Sequence, residues 1–230
     1  MNRAARIISR LFILCASCAI VCACHRSADK EKSDIAGIIP SASDDGPLQA
    51  IEARYTQWPD PDTMLIYVDG MRYKVASNGN VFAPDGKRKF RIGNRGSLDV
   101  LYFVQKGVSL LLFYTDVTAD GAANYAERID IQSGKVLWIT SVTGVAMNRP
   151  VIKGQFAYLA SSGFVGKLKL KNGQYDWKYS GLNDNGRFEK FQDISFPSKR
   201  EVVFVAPHTL SLESDTLVIN DLTGEIIRMN

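Results

Sequence analysis

Past residue 24 this 230-residue chain contains no cysteine: Cys15, Cys18, Cys22 and Cys24 are its four, and all lie near the start. No disulfide can therefore staple the remainder, and no thiolate metal site can form in it. Histidine is as scarce, with His25 and His208 the only two. A zinc site built on imidazoles lacks its ligands, and a Ser/His/Asp triad would have to run through His208. The nucleophile elbow of such a triad is also missing, because no Gly-x-Ser-x-Gly occurs and Ser161-Ser162 lacks a glycine frame on both sides. Gly166-Lys167 is followed by Leu168 without the upstream glycines of a P-loop, and no dinucleotide fingerprint appears. No pair of carboxylates is singled out for glycoside chemistry. Long apolar runs are missing too. The longest, Leu11 to Ala23, has 13 residues, against the ~20 that a membrane-spanning helix needs.

Charge of one sign is in short supply as well. The formal net charge is +4, but Arg3, Arg6 and Arg10 stand in a first 23 residues that hold no acid. The rest carries 25 basic residues against 24 acidic ones, a net of +1. A nucleic-acid partner loses its compositional support, and none is expected.

The leading segment reads as an address. A positive stretch to Arg10 precedes the 13-residue apolar run, which has the length of a secretory h-region. It closes on Val21-Cys22-Ala23-Cys24: an aliphatic residue, a tolerant position, a small residue, then cysteine. This resembles the bacterial lipobox, with Val21 where leucine is usual. The resemblance implies cleavage before Cys24, a thioether from Cys24 to diacylglycerol, and acylation of the new amine, palmitate being the usual chain type. Cys18 and Cys22 fit less well, since Cys15 would take the aliphatic position of one and Val21 the small position of the other. An ordinary cleaved signal peptide with a cysteine-rich h-region is the other reading. Each buried CH₂ contributes about 0.8 kcal/mol, so several acyl chains hold a protein to a membrane firmly. His25 rather than Asp follows Cys24. By analogy with enterobacterial sorting, this implies the periplasmic side of the outer membrane.

Three regions follow: a signal peptide over 1–23, a lipidated cysteine with a flexible tether over 24–50, and a folded domain over 51–230. The tether is polar, mixed in charge and rich in Ser, Ala and Asp, too poor in apolar surface to offset its ordering entropy. From residue 51 the text turns to strand-length β-branched or alternating runs, among them Met64–Val68, Ser109–Tyr114, Phe156–Ala160 and Val202–Val205. No 11-residue stretch shows helical periodicity. The expected class is all-β and antiparallel.

Within it a unit recurs. Ile129 to Trp138 reads strand, Ser-Gly turn, strand, and the layout returns at Leu168–Trp177, at Val218–Ile227 and, weakly, at Val81–Phe90. The turn glycines Gly86, Gly134, Gly173 and Gly224 are 48, 39 and 51 residues apart. That is the period of one four-stranded blade. Trp138 and Trp177 lie four residues after their glycines, placed to pack over the turn or against the next blade; Phe90 does a smaller version, and Arg228 takes that place in the last copy. The pattern resembles the PQQ-like (quinoprotein-type) propeller repeat, with its Asp, Thr-Gly and Trp in register. The copy at Asp130, Ser133, Gly134 and Trp138 matches well, whereas Phe82, Lys169 and Asn220 replace the aspartate elsewhere. The resemblance implies antiparallel four-stranded blades in a small, about four-bladed, or partial β-propeller. Closure is favoured, with residues 51–58 pairing a terminal strand, because an open blade exposes unpaired edges.

Asp116, Thr118, Asp120, Gly121 and Glu127 fit the spacing of a calcium loop, with oxygens at positions 1, 3, 5 and 12. A plain hairpin explains the same stretch. Asn183-Asp184-Asn185-Gly186 reads as an Asn-Gly turn. Lys167, Lys169 and Lys171 alternate with Leu168 and Leu170, as on a solvated strand face or a docking surface for an acidic partner or anionic headgroups.

The resulting expectation is a membrane-anchored periplasmic lipoprotein that is no enzyme and binds another envelope protein, as a scaffold or assembly factor. An immunity or inhibitor lipoprotein against a toxin and a ligand- or glycan-binding module are the alternatives. Quinoprotein dehydrogenases share the repeat but need a full ring, a calcium-binding acidic cluster and often a vicinal disulfide. No cofactor is expected.

Overall fold

The computed structural model describes residues 48–49, 51–54, 64–68, 70–93, 96–184, 186–207 and 213–230, and among them there is no helix. Four antiparallel sheets follow one another along the chain. The first blade comprises β3 (Met64–Val68), β4 (Met71–Val75), β5 (Asn80–Phe82) and β6 (Arg88–Arg91). The second comprises β7 (Ser97–Lys106), β8 (Ser109–Thr118), β9 (Gly121–Asp130) and β10 (Val136–Val142). The third comprises β11 (Val151–Lys153), β12 (Phe156–Ser161), β13 (Phe164–Lys169) and β14 (Tyr175–Ser180). The fourth comprises β15 (Asp193–Ser198), β16 (Glu201–Pro207), β17 (Ser214–Asn220) and β18 (Ile226–Met229).

Two short strands precede them. β1 (Leu48–Gln49) pairs with β11, and β2 (Ile51–Arg54) pairs with β7, giving the third and second sheets a fifth strand on their inner edges. Among the described residues sheet structure starts at Leu48, inside the stretch read as tether. Residues 51–54 pair with the second blade rather than with a C-terminal strand, so the closing device expected from the sequence is not the one used.

Three apolar cores stack the blades in chain order. Ile66, Val75, Val81 and Phe90 of the first blade pack on Leu101, Leu110, Leu112 and Tyr114 of the second. Val104, Leu111 and Phe113 from its other face meet Ile152, Leu159, Phe164 and Leu168 of the third. Tyr158, Ala160 and Val165 then meet Val202, Phe204, Leu217 and Ile219 of the fourth. Among the described residues no such cluster joins the first blade to the fourth. The fold is a small or partial β-propeller of four four-stranded units.

Burial follows from this order. β8 is inaccessible over Ser109–Asp116, because both its faces are covered. β4 in the first blade and β16 in the fourth alternate instead, since each has a neighbouring blade on one side only. A fully buried Leu or Phe side chain contributes roughly 1.5–3 kcal/mol, so the interior blades hold most of the apolar stabilisation.

Candidate interaction surface

The four turn glycines occupy equivalent corners. All have positive φ, +78° at Gly86, +69° at Gly134, +71° at Gly173 and +78° at Gly224, the conformation a tight turn leaves to glycine. Beyond each corner the residue two past the glycine pairs back, as Phe82↔Arg88, Ile129↔Val136, Leu168↔Tyr175 and Ile219↔Ile226. One residue then bulges, and the residue four past the glycine pairs next, as Val81↔Phe90, Arg128↔Trp138, Lys167↔Trp177 and Val218↔Arg228. The first corner differs in length. Gly86 donates to the Ala83 carbonyl three residues back, where Gly134, Gly173 and Gly224 donate to residues four back.

Each ring lies on the glycine of the following blade. A Cβ on Gly134 would stand 3.0 Å from Phe90 Cβ, one on Gly173 2.6 Å from Trp138 Cε3, and one on Gly224 2.8 Å from Trp177 Cβ. Only a residue without a side chain admits the ring so closely.

Hydrogen bonds reinforce the contact at the two later junctions. Between the second and third blades, Arg128 Nη1 and Trp138 Nε1 donate to the Leu170 carbonyl at 2.8 and 3.0 Å, and Thr140 Oγ1 donates to the Gly173 carbonyl at 2.6 Å. Between the third and fourth, Lys167 Nζ donates to the Asp221 carbonyl at 2.6 Å and the Tyr179 hydroxyl to that of Gly224. Arg128 and Lys167 are equivalent, as are Leu170 and Asp221. At the first junction the place of Arg128 and Lys167 holds Val81 and that of Thr140 and Tyr179 holds Ile92, both buried, so that contact is apolar.

Lys167 therefore does not belong to a solvated face. It is buried at 4% exposure, with Nζ 2.9 Å from Asp221 Oδ1, 3.6 Å from Asp176 Oδ2 and 4.1 Å from the Phe156 ring centroid. The Tyr158 hydroxyl donates to the same Asp221 oxygen at 2.7 Å. Lys169 pairs with Asp176 at 2.9 Å and Lys171 is exposed. The three lysines alternate along the chain, but Lys167 sits where the fourth blade covers the sheet, while Lys169 and Lys171 reach solvent towards the turn. Burial alone would raise Asp176, yet the Lys169 hydrogen bond and the Lys167 charge hold its carboxyl below the ordinary range.

The calcium-spaced residues are not gathered. Thr118 pairs with Gly121 across a two-residue turn, Asp120 N donates to Thr118 Oγ1 at 3.3 Å, and Asp116 Oδ1 accepts from Gly96 N at 2.9 Å. Glu127 lies six residues beyond Gly121 on β9, opposite Leu112, about 20 Å along the strand. Asp116, Thr118, Asp120 and Tyr125 line a dish of about 790 Å³ at that hairpin. Among the described residues no group of three or more His, Cys, Asp or Glu is placed to hold a metal ion. Glu127, at 2% exposure, is instead a core acid between the first two blades. Burial pushes its carboxyl up, and the nearby Tyr114 hydroxyl and Gly93 N–H oppose this without cancelling it.

The outer face of the first blade differs in kind from the buried faces behind it. Lys74 pairs with Phe82 where Leu110 pairs with Ile129, Ala157 with Leu168 and Val202 with Ile219. Those six are fully buried, whereas Lys74 is exposed and Phe82 half-buried. Arg72, Arg88 and Arg91, all exposed, frame Lys74 and Phe82. Gly86 alone of the four corner glycines carries no ring, with nothing within 4 Å of its Cβ position. A cavity of about 350 Å³ opens there, lined by Arg72, Lys74, Phe82, Ala83, Pro84 and Gly86. At the other end Arg228 stands at the ring position, and Ile226, Ile227 and Met229 are exposed along β18. Of these end features the sequence shows Arg228 at the ring position; the bare Gly86 corner and the exposed sheet faces are not legible there, because they exist only relative to a neighbouring blade.

Cys24, His208 and Asn185 lie outside the described residues. No protein-family model matches the chain, and no curated protein matches it. Among solved structures, the computationally designed Ika8 protein is 17% identical with a TM-score of 0.47, over 72% of this chain and 48% of that one. The quinohemoprotein alcohol dehydrogenase ADHIIG from Pseudomonas putida HK5 is 13% identical with a TM-score of 0.45, over 80% and 36%. The Dos1 propeller is 13% identical with a TM-score of 0.40, over 73% and 46%. The chain spans less than half the length of each of these proteins.

Proposed function

We propose that this protein is a lipid-anchored envelope component, held at the periplasmic face of the outer membrane through Cys24, whose blade stack is a non-catalytic platform for another envelope protein. The lipobox-like Val21–Cys24 supports the anchor. The observation that carries the platform is the first blade's outer face. There Lys74 and Phe82 take positions that the interior blades fill with buried apolar pairs, and no other blade covers them. A sheet face with this composition is matched to a charged surface rather than to a further apolar blade of the same chain.

The test has two arms. Cys24→Ser should move the protein from the membrane to the soluble fraction; retention on the membrane would refute the anchor. A photo-crosslinking residue at Lys74 should capture one envelope protein in cells, while one at exposed Gln132 on the second blade's turn should not. A platform of this kind is refuted if blade-surface positions capture nothing. Stoichiometric capture of a single toxin would redirect the reading to an immunity protein.

A further inference from the structure

We infer that the Gly86 corner is a docking site for a partner polypeptide segment that presents an aromatic ring flanked by carboxylates. This rests on the platform reading above and names the chemistry of what the platform binds.

Three observations converge on it. The corner is one of four equivalent ones, and in the other three an aromatic side chain of the preceding blade lies on the glycine, its nearest atom 2.6–3.0 Å from the Cβ position. At Gly86 that place is empty and widens into the cavity of about 350 Å³ floored by Phe82 and Ala83, within the size range of pockets that bury a small ligand, roughly 300–1,000 Å³. The surroundings are cationic: Arg72 and Lys74 line the cavity, Arg88 pairs with Phe82 and Arg91 follows on the same strand, and all four are exposed and form no ion pair among the described residues. The one acid at the turn, Asp85, is taken up locally, facing Lys87 at 3.8 Å and accepting from the Lys87 N–H at 3.0 Å. An apolar floor under a ring of one charge sign selects an occupant with the opposite sign and an apolar plug.

Two other occupants fit less well. A second copy stacked head to tail would bring Arg228, which holds the ring position of the last blade, against Arg72 and Lys74. An anionic bilayer offers charge but no ring for the corner.

The probe is a fluorescein-labelled Asp-Glu-Trp-Glu-Asp peptide, titrated by anisotropy against the full chain in non-ionic detergent. Saturable binding with Kd below about 1 mM is expected. Arg72→Glu with Lys74→Glu should weaken it at least tenfold, as should Phe82→Ala, and so should peptides with alanine for tryptophan or amides for the carboxylates. Arg228→Glu, at the far end, should leave it unchanged. No saturation by about 1 mM, equal binding by the charge-reversed protein, or equal binding of the alanine peptide overturns the proposal. So does displacement of the peptide by phosphatidylglycerol, but not phosphatidylcholine, added as mixed micelles in the same detergent, which assigns the face to lipid, or a dimer that the charge reversal dissolves, which assigns it to a second copy. If the peptide fails while Lys74 still crosslinks an envelope protein, only the docking chemistry is wrong. If blade-surface positions crosslink nothing, the platform reading itself falls.

Discussion

Replacing Lys167 by methionine keeps the length of the side chain and deletes its charge at the centre of the junction between the third and fourth blades. The lysine and Asp221 side chains are 5% and 9% exposed, at 2.9 Å. Deleting one member of a buried pair costs about 3–5 kcal/mol, because the other charge is left uncompensated. The lower end applies, since Asp221 keeps the Tyr158 hydroxyl at 2.7 Å. With a urea dependence of about 2 kcal/mol per molar, a loss of about 3 kcal/mol lowers the unfolding midpoint by about 1.5 M. Adding Asp221→Asn neutralises the stranded carboxylate and leaves an amide oxygen for Tyr158. The double variant should recover at least half the loss, a coupling of about 1–3 kcal/mol. The assay is urea unfolding by tryptophan fluorescence, reporting through Trp177 against Tyr158 at 6.3 Å. A loss under about 1 kcal/mol, or a double variant no better than Lys167→Met, would show that the pair is solvated and that the junction is held by apolar contact alone.

Further outcomes follow from the same geometry. Gly173→Ala and Gly86→Ala meet a similar positive φ, costing about 1 kcal/mol each, but only the former drives a Cβ into Trp138. Gly173→Ala should therefore lose about 1–3 kcal/mol more in thermal unfolding, and equal losses would mean that the rings do not seat on the corners. Glu127 is held above its ordinary 4.5, so the folded state binds its proton more tightly, and stability falls as pH rises from 4.5 through the raised value. Glu127→Gln should remove that fall, leaving the two proteins closest in midpoint at acid pH and the variant ahead near neutrality; parallel profiles would refute it. Asp176 runs the other way. Its carboxyl is held below 3.8, so its contribution is complete above that value and is lost as pH falls through the depressed one. Asp176→Asn should flatten the acid limb of the stability curve, and an unchanged limb would remove the carboxylate from the account.

What the chain reveals in one dimension is its turns. Ser133-Gly134, Asn172-Gly173 and Thr223-Gly224 advertise positive φ, and their spacing shows blade periodicity without any knowledge of packing. What it hides is anything that depends on a neighbouring blade. Arg128 and Lys167 act on the backbone carbonyls of Leu170 and Asp221, 42 and 54 residues away, and no side-chain pattern announces a carbonyl. Lys167 alternates with leucines as a surface lysine would, and only the sandwiching of its sheet buries it. Asp116 to Glu127 satisfies a calcium spacing on paper, but an extended strand spreads those residues where a looped one would collect them. The first blade presents a cationic outer face, a device that itself discourages edge-to-edge and face-to-face association.

The seating of a ring on the next blade's glycine has a direction. Every ring is sheltered by material that comes later in the chain, so a polypeptide emerging N-terminus first carries one bare ring at its growing end until the following corner is made. Extension past the last unit would require an aromatic at position 228, and the arginine there acts as a terminator. Extension before the first would require a ring to be delivered from outside to a glycine already in place. The assembly is thus closed to growth at one end and receptive at the other.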